Sequence, residues 1–279
     1  MKIKAQAKLN LSLNIFPQKR VNGLYRVKFL NCQLELADEI EFEPSKRIEV
    51  VCAHPGLKEE KDNSVYQAIN LLPKKRGIKI FLRKRIPIRS GLGGGSSDAA
   101  AVINYLNRVW RLKLSPEELL EIGKNLGMDV VYCLVGGLCL VEGVGEKVEK
   151  LDFSLPEIPL IIVTPEVIKP STKWAYQTLN LKKIGQKREE LRRLLEAIKK
   201  RDIKEIGKNL HNDFEYSINK KFSIIEKIKN DLKNQGALQA MLCGSGLSVM
   251  GIFENKMVAR EAYNKLKKKF EKVFLTKTI

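Results

Sequence analysis

Apolar and polar residues alternate with a period of two over residues 8–16, 27–36, 40–42, 47–52 and 78–82, and this alternation predicts strands. Residues 64–72 predict a helix between them. Further on, Ala99, Val102, Ile103, Leu106, Val109 and Trp110 recur at the spacing of one helical face, which predicts a helix of about four turns starting near Ser97. Ser115-Pro116-Glu117-Glu118 is a capping box with proline at the first helical position, and Gly127 is the natural stop of that helix. A strand is predicted over residues 136–141. The second half predicts a strand at 160–163, charged helices around 187–209 and 222–234, strands at 238–242 and 247–253, a helix at 256–270 and a last strand at 272–277. Antiparallel strands with helices on one side make the fold class α+β. Pro156 and Pro159 flank a boundary near residue 155, giving domains 1–155 and 156–279.

Composition narrows the function. A chain of 279 residues can build one large or two medium domains. Its longest apolar run, 130–141, is interrupted by Gly136-Gly137 and falls short of the ~18 residues of a membrane span. Met1-Lys2-Ile3-Lys4-Ala5 lacks the apolar core of a signal peptide, so a cytoplasmic protein is expected. The five cysteines are scattered, form no CxxC pair, and have only His54 and His211 for company, which argues for buried small residues over a zinc site or a disulfide framework. The formal charge of +19 admits nucleic acid, an anionic membrane or an anionic small substrate. The lysines are spread along the chain, however, and aromatic residues make up only 7% with no stacking platform among them, so no membrane partner and no nucleic-acid partner is expected.

The candidate chemistry sits at Gly91-Leu92-Gly93-Gly94-Gly95-Ser96-Ser97, between a predicted strand and a predicted helix. Glycines let successive N–H groups converge on an anion, and the helix N-terminus adds its unpaired amides and positive dipole end. Ser96 or Ser97 can cap that helix or offer a hydroxyl to phosphate or metal. The stretch lacks the Gly-Lys-[Ser/Thr] of a Walker A loop, and Ser96 stands where a dinucleotide fingerprint needs its third glycine. The residues therefore indicate a phosphate site and leave the nucleotide open.

Pro87 together with Gly91 through Ala100 closely resembles the ATP loop of the GHMP kinases, a group that includes galactokinase, homoserine kinase and mevalonate kinase. The triple glycine is most similar to the 4-diphosphocytidyl-2-C-methyl-D-erythritol kinase branch. Ala7-Lys8-Leu9-Asn10-Leu11 resembles that branch's N-terminal strand motif. Gly127-Met128-Asp129-Val130, followed by Gly136-Gly137 and Glu142-Gly143-Val144-Gly145-Glu146, resembles its catalytic-aspartate segment. Fainter likenesses are Leu36-Ala37-Asp38-Glu39, Ser171-Thr172 through Tyr176, Asn212-Asp213-Phe214-Glu215 and Cys243-Gly244-Ser245-Gly246.

The resemblance implies a two-domain GHMP kinase fold, with an N-terminal mixed α/β domain and a C-terminal ferredoxin-like α+β domain. It implies ATP and Mg²⁺ as cofactors, with Pro87, Gly91, Leu92, Gly93, Gly94, Gly95, Ser96 and Ser97 around ATP and Ser97 linked to the metal. It further implies Asp129 as general base. Lys8, mid-strand among apolar neighbours, is costly to bury unless paired, and pairing with Asp129 satisfies both charges. Asn10 lies on the same strand face as Lys8 and can orient the acceptor hydroxyl. Tyr25, Thr172, Tyr176, Gly244 and Ser245 complete the expected acceptor side, although Gly244-Ser245-Gly246 reads equally well as an ordinary strand-to-strand turn.

Two stretches depart from the pattern. Where that branch carries a Gly-Tyr-His-Glu element that recognises cytosine, this chain has Asn22-Gly23-Leu24-Tyr25-Arg26, and Arg89 replaces the usual glycine two residues after Pro87. Tyr25 or Tyr176 can still stack on a base, and Arg89 can either reach a phosphate or point to solvent. The first expectation is phosphorylation of the anionic alcohol 4-diphosphocytidyl-2-C-methyl-D-erythritol, in isoprenoid precursor synthesis. The alternatives are a GHMP-type kinase for another small alcohol and a non-catalytic nucleotide- or nucleic-acid-binding protein. A monomer or weak homodimer is the default assembly.

Overall fold

The computed structural model describes residues 1–19, 23–52, 54 and 63–279. Its elements are β1 (Lys2–Lys19), β2 (Tyr25–Pro44), β3 (Ile48–Cys52), α1 (Ser64–Asn70), β4 (Ile78–Arg83), α2 (Gly94–Val109), α3 (Pro116–Leu126), α4 (Met128–Val135), β5 (Cys139–Glu142) and β6 (Lys147–Lys150). There follow β7 (Pro159–Thr164), α5 (Thr172–Gln177), α6 (Arg188–Lys199), α7 (Ile203–Lys208), β8 (His211–Asn212), α8 (Glu215–Lys221), α9 (Ser223–Asn234), β9 (Gln239–Leu242), β10 (Val249–Ile252), α10 (Lys256–Leu266) and β11 (Lys272–Lys277). The chain forms two compact units: Met1–Lys8, Leu36–Ile88 and Gly93–Gly136 make one, while Leu9–Glu35, Arg89–Leu92 and Gly137–Ile279 make the other.

In the first unit β2 pairs antiparallel with β4, and β4 pairs parallel with β3. The alternation read from sequence places Ile40, Phe42, Ile78, Ile80 and Leu82 on the face that meets α1 and α2, where Val65, Ile69, Val102, Ile103 and Leu106 complete the core. Phe42 stacks on Tyr105 with ring centroids 3.9 Å apart. The α3 capping box forms as predicted: the Glu118 amide donates to Ser115 Oγ, and the Ser115 amide donates to Glu118 Oε2.

In the second unit, β11-β7-β10-β9 is an antiparallel sheet in that order, and its β7–helices–β9–β10–α10–β11 succession is the ferredoxin-like arrangement. Helices α9 and α10 pack on this sheet. Ile161, Val163, Leu242 and Val249 meet Ile225, Ile228, Leu232, Ala259 and Leu266 in its core. Here too β5 pairs with β2, and β8 pairs parallel with β1.

Several boundaries differ from expectation. Residues 27–36 and 40–42, predicted as two strands, belong to the single strand β2. Helix α2 starts three residues before Ser97. The apolar stretch before Gly136 is helical, as α4, and the strand expected from residue 136 begins at Cys139. Among the described residues, no helix is long and apolar enough to cross a membrane.

Candidate active site

In the first unit, Lys8 is 5% exposed on β1, between Ala7 and Leu9, which are fully buried. An ammonium there needs an opposite charge. Its Nζ lies 3.5 Å from Asp129 Oδ1, so the two residues singled out from sequence do meet. The Asp129 side chain remains 47% exposed, accessible to an incoming hydroxyl. Asp129 is the second residue of α4, whose N-cap is Gly127 at φ +144°. Gly127 ends α3 and starts α4, so the chain turns sharply and presents Asp129 from a first helical turn, where the helix dipole favours a carboxylate.

The glycine stretch is largely helix. Gly93, at φ +67°, is the N-cap of α2 and makes no side-chain cap bond, and Ser96 and Ser97 are helical residues and not caps. The first intrahelical bond runs from the Ser97 amide to Gly93 O at 2.8 Å. The amides of Gly94, Gly95 and Ser96 therefore lack intrahelical acceptors and project from the N-terminus, the arrangement that binds phosphate. A Cβ on Gly93 would lie 2.6 Å from Lys8 Cγ, so glycine is what allows this turn to rest on the lysine stem. Ser97 Oγ donates to Gln6 O at 2.6 Å and lies 3.4 Å from Cys133 Sγ, whose thiol burial pushes up to about 12.

A buried ionic cluster supports the same helix. Lys84 donates to Asp38 and, at 2.5 Å, to Asp98, and Asp38 Oδ1 also accepts from the amides of Arg85 and Ile86. Burial alone would lower the Lys84 pKa, but the two carboxylates outweigh it and raise it. Asp98 is pushed up to about 7, by burial first and by the neighbouring Asp38 carboxylate, against the pull of Lys84. Sequence reasoning missed this cluster: nothing in Arg83-Lys84-Arg85 marks the middle residue as the buried one.

In the second unit, Gly91 and Gly246 bring two loops into backbone contact. A Cβ on Gly91 would collide with the Cys243 carbonyl, and one on Gly246 with the Ser90 carbonyl and the Gly91 amide. The Gly244-Ser245-Gly246 loop thus buttresses the backbone at Ser90 and Gly91. Asn212, in the segment with only a faint family likeness, holds that loop by donating to Leu242 O at 2.9 Å and Gly244 O at 2.8 Å. Its neighbour Asp213 accepts from the amides of Ile15 (2.6 Å) and Gly185 (2.9 Å), and Glu215 accepts from the Leu242 amide at 3.0 Å. Asn10, 1% exposed, donates to Asn31 Oδ1 at 2.6 Å. Tyr25 and Tyr176 stack with centroids 6.0 Å apart and planes 11° from parallel, and Tyr176 meets Phe214 edge-on. Thr172 is exposed at the start of α5, Leu24 is half exposed, and Asn22 lies outside the described residues. Pro87 is partly buried in the turn before Arg89, and Leu92 is fully buried.

Residues 63–137 match the GHMP kinases N terminal domain, and residues 194–272 match the GHMP kinases C terminal. The chain is 39% identical over 284 residues to a 4-diphosphocytidyl-2-C-methyl-D-erythritol kinase of Caldicellulosiruptor bescii, covering 100% of this chain and 98% of that one. It is 40% identical over 282 residues to the kinase of the same name from Acetivibrio thermocellus, covering 99% and 98%. A crystal structure of 4-(cytidine 5'-diphospho)-2C-methyl-D-erythritol kinase superposes with a TM-score of 0.84 at 26% identity, covering 100% of this chain and 99% of that one. The mevalonate kinase of Methanococcus jannaschii shares the fold, with a TM-score of 0.71 at 18% identity over 100% of this chain and 98% of that one.

Proposed function

This chain belongs to the GHMP kinases, in the 4-diphosphocytidyl-2-C-methyl-D-erythritol kinase family, and on that premise we propose that it transfers the γ-phosphoryl group of ATP to a hydroxyl of 4-diphosphocytidyl-2-C-methyl-D-erythritol. The observation that carries the proposal is the Lys8–Asp129 pair, with Gly93 at the N-terminus of α2 resting on the Lys8 stem. One unit of structure thereby sets a carboxylate, an ammonium and a cluster of free amides side by side.

In the reaction, the acceptor oxygen forms a bond to the γ-phosphorus while the bond from that phosphorus to the β,γ-bridging oxygen breaks, releasing ADP. Little covalent work falls to the protein, which positions the groups and stabilises charge. Asp129, half exposed, takes the hydroxyl proton. Lys8 holds Asp129 in place and offers its positive charge to the phosphoryl oxygens. The amides of Gly94, Gly95 and Ser96 hold ATP phosphates, with Pro87, Gly91, Leu92 and Ser97 shaping the turn around them.

Mg²⁺, when bound with the nucleotide, would supply further charge neutralisation. Ser97 fits a role beside it, because its hydrogen is donated to Gln6 O and a lone pair remains. Among the described residues no group of three or more acidic, histidine or cysteine side chains is placed to hold a metal. We assign acceptor-side roles to Asn10, Thr172, Gly244 and Ser245, and a base-stacking role to Tyr25 and Tyr176. The ATP loop, Lys8 and Asp129 go to an N-terminal domain, 1–155, and the second glycine loop to a C-terminal domain, 156–279.

Asp129→Asn keeps the shape and removes the proton acceptor. ADP release coupled to acceptor phosphorylation should fall at least ~100-fold, while ATP affinity measured by calorimetry stays within about twofold. Unchanged turnover would remove Asp129 from the mechanism. Equal turnover of acceptors lacking the cytidine diphosphate would sink the substrate assignment and favour another small alcohol.

A further inference from the structure

Arg89 has no role in the mechanism above. It occupies the left-handed region at φ +57°, where a side chain is strained, yet it is exposed and forms no ion pair with a carboxylate among the described residues. Close to it in the same unit is a second cation in a costly setting. Lys169 follows the end of β7 and is only 5% exposed, and its polar partner among the described residues is the Ser245 hydroxyl at 3.4 Å, a long and weak contact. Burial, and then the Arg89 guanidinium, lower the Lys169 pKa to about 8. Two cations close enough to repel each other, one of them buried and without a carboxylate partner among the described residues, make a setting that favours an anion.

The surroundings agree. Ser245 belongs to the loop that is pressed backbone-to-backbone against Ser90 and Gly91, so the residue that Lys169 contacts and the residue that follows Arg89 meet at one junction. Asn212 fixes that junction by binding the carbonyls of Leu242 and Gly244.

We propose that Lys169 and Arg89, with the Ser245 hydroxyl, form a phosphate-binding subsite of this kinase, distinct from the amides at the N-terminus of α2. The ligand is a phosphate or diphosphate group: that of the acceptor, or the terminal phosphate of the nucleotide. The subsite rests on the kinase reading for its source of phosphate, but its existence is testable without turnover.

The test uses the intact protein with ADP at saturation, so that the α2 N-terminus is already filled, and titrates orthophosphate and pyrophosphate by calorimetry. Wild type should bind them. Lys169→Met and Arg89→Gly should each weaken that binding about 10- to 100-fold, and Lys169→Arg should retain it. Because Lys169→Met replaces an unpaired buried ammonium with an apolar chain, its melting temperature should hold or rise; a purely structural lysine would give a fall. Steady-state arms identify the source. A higher KM for the acceptor with the ATP KM unchanged assigns the subsite to the acceptor's diphosphate, and the reverse assigns it to the nucleotide. Absence of phosphate binding to wild type, or wild-type binding by Lys169→Met, overturns the proposal. If wild type binds pyrophosphate but phosphorylates no cytidine-bearing alcohol, the substrate reading fails and the subsite stands.

Discussion

Gly93→Ala is the most direct test of how the phosphate turn is built. Two effects add. A non-glycine residue at φ +67° costs roughly 1–2 kcal/mol, and a Cβ 2.6 Å from Lys8 Cγ forces overpacking worth about 1–3 kcal/mol. Restricting the unfolded chain returns roughly 0.4–1 kcal/mol, leaving a net loss of about 1–5 kcal/mol. Lys8 is the side chain that must move, so the loss falls on the Lys8–Asp129 pair as well. A displacement of ~1 Å at a reacting group costs on the order of 100-fold in rate. Gly95→Ala is the matched control. Gly95 has no positive φ, and its Cβ would meet only the Ser64 side chain, 3.1 Å from the hydroxyl, which a shift of a few tenths of an ångström relieves. Within a helix, alanine also gains about 0.5–1 kcal/mol over glycine. Thermal melting should place Gly93→Ala roughly 5–10 °C below wild type, with Gly95→Ala near wild type, and the coupled ADP assay should show the kcat loss in Gly93→Ala. If the two variants melt together and turn over alike, the contact between turn and lysine stem carries no consequence and the reasoning fails.

Three further outcomes are expected. Gly246→Ala should raise the KM for ATP about tenfold or more, because its Cβ would drive the Ser90–Gly91 backbone away and that backbone leads into the phosphate turn; an unchanged KM would confine the second loop to the acceptor. Asp98→Asn should change the pH profile of stability. The native Asp98 keeps its proton up to about 7 whereas the unfolded one loses it near the ordinary 3.8, so its contribution is full below that value and is lost as pH rises through 7. In urea titrations the variant should gain on wild type between about pH 4 and pH 7, and parallel profiles over that range would refute the raised pKa. Tyr176→Ala should raise the KM for a cytidine-bearing acceptor roughly 2- to 10-fold, the value of one aromatic stack, with the ATP KM unaffected; a rise in the ATP KM instead would place the Tyr25–Tyr176 stack elsewhere in the reaction.

Much of this architecture is legible where burial on one face imposes a period. The last strand occupies residues 272–277 as predicted, and the Ser115–Glu118 capping box marks the start of α3 to the residue. Lys8 and Asp129 are legible as a pair because a buried ammonium has so few acceptable partners. The failures share a cause. Asp38 sits in the middle of β2 and reads as an interruption, so one strand was expected to be two. It can remain buried there because Lys84 and two amides, all more than 45 residues away in sequence, satisfy it. The start of α2 was misplaced for a related reason: a helix beginning Gly94-Gly95 has poor intrinsic propensity, and packing of Ala99, Val102 and Ile103 overrides it. Tertiary partners legalise what local rules forbid.

The same logic explains why the faint family likeness at Asn212-Asp213-Phe214-Glu215 is informative even though none of these residues is assigned to chemistry. Each satisfies a separate need of the second glycine loop or of the strand beside it. Asn212 binds two loop carbonyls, Glu215 binds the amide that enters the loop, Asp213 binds the Ile15 and Gly185 amides, and Phe214 is 1% exposed in the core. A loop whose glycines meet another backbone has no side chains of its own to lock it, because any Cβ at the contact would collide. Its rigidity must then come from polar groups elsewhere that have been committed to its carbonyls and amides. Glycine at the contact and a buried polar clamp behind it are two halves of one requirement. That requirement explains why residues 212–215 matter to the second glycine loop although none of them is assigned to chemistry.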